Sequence, residues 1–314
     1  MMTKLSFHHL LDANQIKDND IKKLIALAEK YRKTNRKKTF TDGDCNGLIA
    51  ATLFFEPSTR TRMSFESAMI RLGGQVISLE NGQTSSVKKG ETLSDTGRIV
   101  SNYADIVIMR HPQVGSVAEF AKHATIPVIN AGDGENQHPT QSLVDVYAIF
   151  CEKKKLDNLK IGIVGDLKYS RAVRSLLALM SNYRNNHFAL ISHPSLKIST
   201  QQKKILTKRG CKITETSDLE SAIKDLDILY ATRVQQERFS DKKEYEKVKN
   251  FYRIDKNLLS FAKKNLTIFH PLPRLNEIDE EVDSTSHAKY FTQANYAIYM
   301  RMALLASLCK QKTS

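Results

Sequence analysis

Ser58, Thr59, Arg60, Thr61 and Arg62 set hydroxyls and guanidinium groups side by side, immediately after the apolar run that ends "LFFEP". The plain explanation is helix N-capping, with Pro57 in the first turn and Ser58 and Thr59 satisfying its free amides. A cap needs only one hydroxyl, however. It also leaves unexplained the arginines in a first turn, where the positive end of the helix dipole disfavours cations. An anion lodged there reverses the penalty by accepting from amides, hydroxyls and a bidentate guanidinium together. Each charge-assisted bond contributes about 1.5–3 kcal/mol, so several hold a phosphate without a glycine-rich cradle. The chain contains no GxxxxGK[ST], and "GIVGDLKYS" is a poor dinucleotide fingerprint. Ser58, Thr59, Arg60 and Thr61 are therefore read as a phosphate site.

Other polar residues follow apolar runs in the same way: Arg110 after "ADIVIM", "GDGENQHPTQ" after "IPVIN", Asp166 after "KIGIVG", "TRVQQER" after "DILYA" and "HPLPR" after "TIF". Ligands of open parallel sheets bind beyond the carboxyl ends of the strands, so six such ends turned to one crevice outweigh any single motif. Each residue alone has an ordinary reading. Arg110 is a strand-end charge, His138 a capping residue ahead of Pro139, Arg171 a helix-surface charge and Arg233 a partner for Glu237. "HPLPR" is a rigid turn, and "SSVKKGE" at 85–91 a solvated loop.

The elements that must position these residues alternate along the chain. "GLIAATLFF", "QVISL", "ADIVIMR", "IPVIN", "KIGIVGD", "FALIS", "CKIT", "DILYAT" and "TIFHPL" have strand length, and the stretches between them have helical period. After Arg62, Phe65, Ala68, Met69 and Leu72 recur at helical spacing until Gly73-Gly74 ends the pattern. The predicted fold class is α/β: two doubly wound domains, each a parallel sheet with helices on both faces. The boundary is expected near residue 150, where "EKKKLDN" breaks the pattern. Residues 1–150 and 151–290 then form the two domains, and the apolar helix within 291–314 packs back on the first.

A chain of 314 residues with 41% hydrophobic content suits two globular domains. No run approaches the roughly 18 apolar residues of a membrane span, and "MMTKLSFHHLLDANQ" lacks a signal-peptide core, so a cytoplasmic protein without membrane partners is expected. Cys45, Cys151, Cys211 and Cys309 are scattered, with no CxxC pair, which fits a reducing compartment and predicts no structural zinc or other metal site. The net charge of +14 lies mostly in lysines of the second half. Without interleaved aromatics or a binding module these read as solvated helix faces, and no nucleic-acid partner is expected.

Taken together, "FFEPSTRTRMSFESA", "SSVKKGETLSDT", "MRHPQ", "NAGDGENQHPTQSLVD", "VGDLKYSRAVRSL", "LYATRVQQERF" and "HPLPRLNEID" resemble the catalytic chain of the aspartate carbamoyltransferases. The resemblance runs from about residue 5 to the C-terminal helix. "STRTR" and "HPTQ" are shared by carbamoyltransferases in general, whereas "TRVQ..R" and "HPLPR" point to the aspartate branch. The ornithine branch carries "HCLP" and a "DxxxSMG" loop, and this chain has Pro271 in place of that cysteine.

What the resemblance implies is specific. Residues 1–150 would bind carbamoyl phosphate and residues 151–290 L-aspartate, giving N-carbamoyl-L-aspartate and phosphate in pyrimidine synthesis. Ser58, Thr59, Arg60 and Thr61 would hold the phosphate, with Arg110, His138 and Gln141 on the carbamoyl end. Ser85 and Lys89 would come from a neighbouring subunit of a homotrimer with shared active sites. Arg171, Arg233 and Gln235, with Lys89, would hold aspartate. The carbonyls of Pro271 and Leu272 would receive the attacking amine, and Glu56 would pair with Arg171 or Arg238 to hold the halves together. Arg60, Thr61, Lys89, Arg110 and His138 would be the catalytic groups, with no cofactor. Whether regulatory chains attach is left open. The rival readings are transfer to another amino acid and an inactive or nucleic-acid-binding scaffold.

Overall fold

A computed structural model describes residues 4–34, 43–80, 90–239 and 241–311. The chain divides into two compact units, one of residues 1–147 and 295–314 and the other of 148–294.

In the first unit the elements run α1 (Asp18–Thr34), β1 (Ile49–Phe54), α2 (Thr59–Arg71), β2 (Gln75–Glu80), α3 (Leu93–Val100), β3 (Ile106–His111), α4 (Ser116–Ala121), β4 (Val128–Asp133) and α5 (Pro139–Lys153). The strands form a parallel sheet in the order β2-β1-β3-β4. Helical crossovers cover such a sheet, which is why β3 and β4 are buried almost throughout rather than alternating. Leu10 extends the β4 edge, its amide bonding Val128 O at 2.9 Å and its carbonyl accepting from Asn130 N at 2.8 Å.

The helical spacing after Arg62 is seen directly in α2, where Phe65, Ala68 and Met69 are fully buried. Burying Phe65 and Met69 contributes roughly 1.5–3 kcal/mol each. Gly73, at φ +80°, stops the helix: its amide bonds Ile70 O at 3.0 Å, and the Gly74 amide bonds Met69 O at 3.1 Å. This left-handed stop turns the chain into β2.

The second unit contains β5 (Lys160–Gly165), α6 (Arg171–Met180), β6 (His187–Ile191), α7 (Thr200–Lys208), β7 (Lys212–Thr216), α8 (Leu219–Ile223), β8 (Ile228–Thr232), α9 (Lys242–Val248), α10 (Lys256–Leu259) and β9 (Thr267–Phe269). Its parallel sheet has the order β7-β6-β5-β8-β9. All nine apolar runs read from the sequence are strands. Gly165 lets β5 lie against β8, since a Cβ there would stand 2.0 Å from Thr232 O.

The chain passes between the units within α5 and again within the last helix, α11 (Tyr290–Cys309). The part of α11 in the first unit packs on α1 and α2. Arg32 lies 5.7 Å over the Tyr296 ring, Arg301 lies 4.6 Å over Phe65, and Lys310 pairs with Asp44. Among the described residues, no helix is long and apolar enough to cross a membrane.

Candidate active site

The first cluster grows from the β1–β3 register. Phe54 sits opposite Arg110, and the Phe55 amide donates to Arg110 O at 2.9 Å, so the turn into α2 lies beside the Arg110 strand end. A crevice of about 240 Å³ is lined by residues 54–59 and Arg62.

The local capping expectation fails here. Helix α2 starts at Thr59, so Pro57 lies outside the first turn, and Ser58 stands at the N-cap with φ −161° and ψ 81° but no side-chain capping bond. Thr92, Ser170, Ser199 and Asp218 each cap their own helices through the side chain. Backbone geometry explains the difference, because Ser58 lacks the ordinary extended conformation from which an N-cap oxygen reaches the N2 or N3 amide. The first turn of α2 contains no acid, Thr59 and Arg60 are exposed, and Thr61 is buried. The first turn of α2 thus places backbone amides and the Ser58, Thr59 and Thr61 hydroxyls together at the positive end of a helix.

Arg110 is nearly buried and donates from Nη2 to Glu56 Oε1 at 2.9 Å. Its Nε is buried with no hydrogen-bond partner among the described residues. The loop after β4 is tied to the same strand end through Gly134 N, which donates to His111 O at 2.9 Å. Asp133 organises that loop from a buried position. Its Oδ1 accepts from Asn130 Nδ2 at 3.0 Å and Gln137 N at 3.1 Å, and its Oδ2 accepts from Asn136 Nδ2 at 3.1 Å and Gly115 N at 3.2 Å.

The loop delivers His138 to the start of α5, ahead of Pro139 at the first helical position. His138 O accepts from Gln141 N and Ser142 N, and its Nδ1 lies 3.3 Å from Thr140 Oγ1. Gln141 donates from Nε2 to Asp145 Oδ1 at 2.7 Å. Asp145 also faces Arg301, a fully buried arginine whose Nη1 donates to Thr61 O at 3.3 Å. Burial draws the Arg301 pKa down to about 9, against the attraction of Asp145. Arg301 therefore touches the first turn of α2 and faces the carboxylate that holds Gln141. The sequence reading missed both Arg301 and Asp133. Asp133 lies inside the quoted "GDGENQHPTQ", whereas Arg301 carries no local signal.

The second cluster is organised by Asp166 at the end of β5. Oδ1 accepts from Tyr169 N at 2.9 Å and Oδ2 from Gln235 N at 3.4 Å, which joins the turn before Arg171 to the loop carrying Arg233 and Gln235. Burial raises the Asp166 pKa, opposed by these amides and by Arg233. Arg171 is the first residue of α6, behind the Ser170 cap. Arg233 makes a two-pronged pair with Glu237, its Nη1 standing 3.0 Å from Oε2 and its Nη2 bonding Oε1, so its ordinary reading is realised in this structure. Pro271 and Leu272 follow β9, and Leu272 adopts φ +54°. Ser85 and Lys89 lie outside the described residues.

Known proteins are similar to this chain along its length. Residues 8–150 match the aspartate/ornithine carbamoyltransferase carbamoyl-P binding domain, and residues 157–308 match the Asp/Orn binding domain of the same family. The aspartate carbamoyltransferase catalytic subunit of Clostridium kluyveri is 48% identical over 304 residues, which covers 97% of this chain and 98% of that protein. The catalytic subunit of M. jannaschii aspartate transcarbamoylase superposes with a TM-score of 0.91 at 42% identity, covering 98% of this chain and all of that one. Aspartate transcarbamoylase from Trypanosoma cruzi in complex with carbamoyl phosphate and aspartate gives 0.91 at 35% identity, covering 98% and 99%. Matched along both units and by whole-chain relatives, the chain belongs to the aspartate/ornithine carbamoyltransferase family.

Proposed function

We infer that this chain is an aspartate carbamoyltransferase: it transfers the carbamoyl group of carbamoyl phosphate to the α-amine of L-aspartate, giving N-carbamoyl-L-aspartate and phosphate. The observation that carries this reading is the uncapped first turn of α2, with Ser58 and two arginines beside Arg110, in a chain whose relatives include a T. cruzi enzyme in complex with both substrates.

In this reading residues 1–150 bind carbamoyl phosphate. Ser58, Thr59, Arg60 and Thr61 bond the phosphate oxygens, and Arg110, His138 and Gln141 address the carbamoyl group. Residues 151–290 bind aspartate, its carboxylates meeting Arg171, Arg233 and Gln235. The neutral amine forms the N–C bond, the carbonyl oxygen takes the electron pair, and collapse breaks the C–O bond to phosphate. The amine proton leaves on phosphate. Donors from Thr61, Arg110 and His138 stabilise the oxygen as it gains charge. The substrate is already activated, so orientation supplies much of the acceleration, worth roughly 7–11 kcal/mol.

Ser85 and Lys89, in the "SSVKKGE" loop, complete the site of a neighbouring subunit in a homotrimer. Mixing inactive Arg60→Ala and Lys89→Ala proteins under subunit exchange restores partial activity if sites are shared, and none otherwise. The activity is tested by colorimetric detection of carbamoyl aspartate, wild type beside Arg60→Ala, with ornithine, putrescine and N-acetylornithine as alternative acceptors. Equal or faster carbamoylation of any of these would overturn the aspartate assignment.

A further inference from the structure

The turn after β9 contains a buried pair that the reaction as described above does not use. His270 is 2% exposed, and its two ring nitrogens have different partners. Nδ1 lies 2.8 Å from Leu272 N, and Nε2 lies 2.8 Å from Glu277 Oε1. The Leu272 amide can only donate, so Nδ1 is the acceptor and the ring proton sits on Nε2, facing the carboxylate. The other Glu277 oxygen accepts from Leu275 N at 3.1 Å. One imidazole and one carboxylate therefore bracket residues 270–275 from within. The His270 amide donates to Gln293 Oε1 at 2.9 Å, which secures the base of the turn.

Leu272 needs such a hold. Its φ of +54° is a conformation that a branched side chain rarely adopts and that persists only when its surroundings impose it. The bond from Leu272 N to His270 Nδ1 acts on that residue directly. Because the Leu272 N–H shares a peptide plane with the Pro271 carbonyl, the bond also sets the direction of that carbonyl, with the Leu272 carbonyl one peptide further along the same bracketed turn.

We propose that His270, oriented by Glu277, is a positioning residue that holds the Pro271 and Leu272 carbonyls where the attacking amine of aspartate must be received. This rests on the reading that those carbonyls meet the amine. Burial lowers the His270 pKa against the opposing pull of Glu277, in keeping with a neutral ring.

The experiment pairs two substitutions that each preserve one half of the ring's bonding. His270→Asn places an amide oxygen near the Nδ1 position and keeps the acceptor for Leu272 N. His270→Gln reaches toward Glu277 and loses that acceptor. Expected are a kcat lowered about 10- to 100-fold in His270→Gln, an unchanged KM for carbamoyl phosphate, and recovery to within a few-fold of wild type in His270→Asn. Glu277→Gln, which upsets one of the two carboxylate bonds, should show a smaller fall in kcat and keeps the test alive if His270→Gln does not fold. Equal losses in His270→Asn and His270→Gln, or wild-type kcat in His270→Gln and Glu277→Gln, would overturn the proposal. Crystals of the wild type with a phosphonate–aspartate bisubstrate ligand separate the two levels. Carbonyls on the ligand amide together with wild-type kcat in the variants sink the role of His270 alone. Carbonyls turned away from the ligand sink the underlying reading, and the proposal with it.

Discussion

Arg110 and Glu56, 54 residues apart, meet as an ion pair of 2.9 Å in which the arginine side chain is only 10% exposed. The pair fixes a guanidinium at the end of β3 while its Nε stays unpartnered among the described residues. A preorganised donor of this kind is suited to a developing oxyanion. Removing one such donor typically lowers kcat by about 10²–10³-fold. Arg110→Met should do so in steady-state assays, and a change confined to KM would place Arg110 outside the transition state.

Arg60 stands exposed in the first turn of α2. Loss of one or two charge-assisted bonds, each about 1.5–3 kcal/mol, should raise the KM for carbamoyl phosphate in Arg60→Ala on the order of 10- to 100-fold or more. Isothermal titration with phosphate checks the binding part separately. Wild-type phosphate affinity would remove Arg60 from the site.

Arg233 is engaged by Glu237, four residues on, whose side chain is half exposed. The pair adds at most about 1 kcal/mol to stability, so Glu237→Gln should leave the denaturation midpoint nearly unchanged. It should also release the guanidinium for a carboxylate ligand and lower the KM for aspartate by roughly 2- to 5-fold. A higher KM would mean that Glu237 orients Arg233 instead of competing for it.

Arg301 carries a buried charge opposite Asp145. Arg301→Met removes the buried cation that Asp145 faces while leaving the Gln141 bond to that carboxylate in place, and removing one charge from such a buried arrangement costs up to about 3–5 kcal/mol. Denaturant unfolding of the first unit should show it, with Asp145→Asn added to Arg301→Met recovering part of the loss. Full stability in the single variant would show that Asp145 is satisfied without Arg301.

His9 accepts from Val128 N at 3.1 Å through Nδ1, and burial, followed by repulsion from His8, lowers its pKa to about 4. In the unfolded chain the imidazole titrates near 6.5, so the unfolded state binds the proton first as pH falls. The stability from neutral His9 is complete above about pH 6.5 and is lost as pH drops through about 4. Allowing for its partial exposure, the loss by pH 4.5 is roughly 1 kcal/mol. Denaturation curves from pH 7.5 to 4.5 should be less steep in pH for His9→Asn, which keeps an acceptor but cannot titrate. Identical slopes would assign the acid sensitivity elsewhere.

Local pattern determined much of this protein. An apolar run of five or six residues has few alternatives to a buried strand, which is why all nine strands were legible, and the period of Phe65, Ala68 and Met69 oriented α2 before any contact was known. Arg233 with Glu237 was legible as well, because the pair is four residues apart. What lies far apart in sequence was decided only by folding. The sheet orders, the Arg110–Glu56 pair and the approach of Arg301 to Thr61 across 240 residues depend on which strands and helices become neighbours. Backbone conformation was hidden for a similar reason. That Ser58 stands at an N-cap without capping, and that Leu272 is held at φ +54° by His270, are outcomes of three-dimensional constraint, since residue type sets which bonds a group can make and tertiary packing sets which of them it does make.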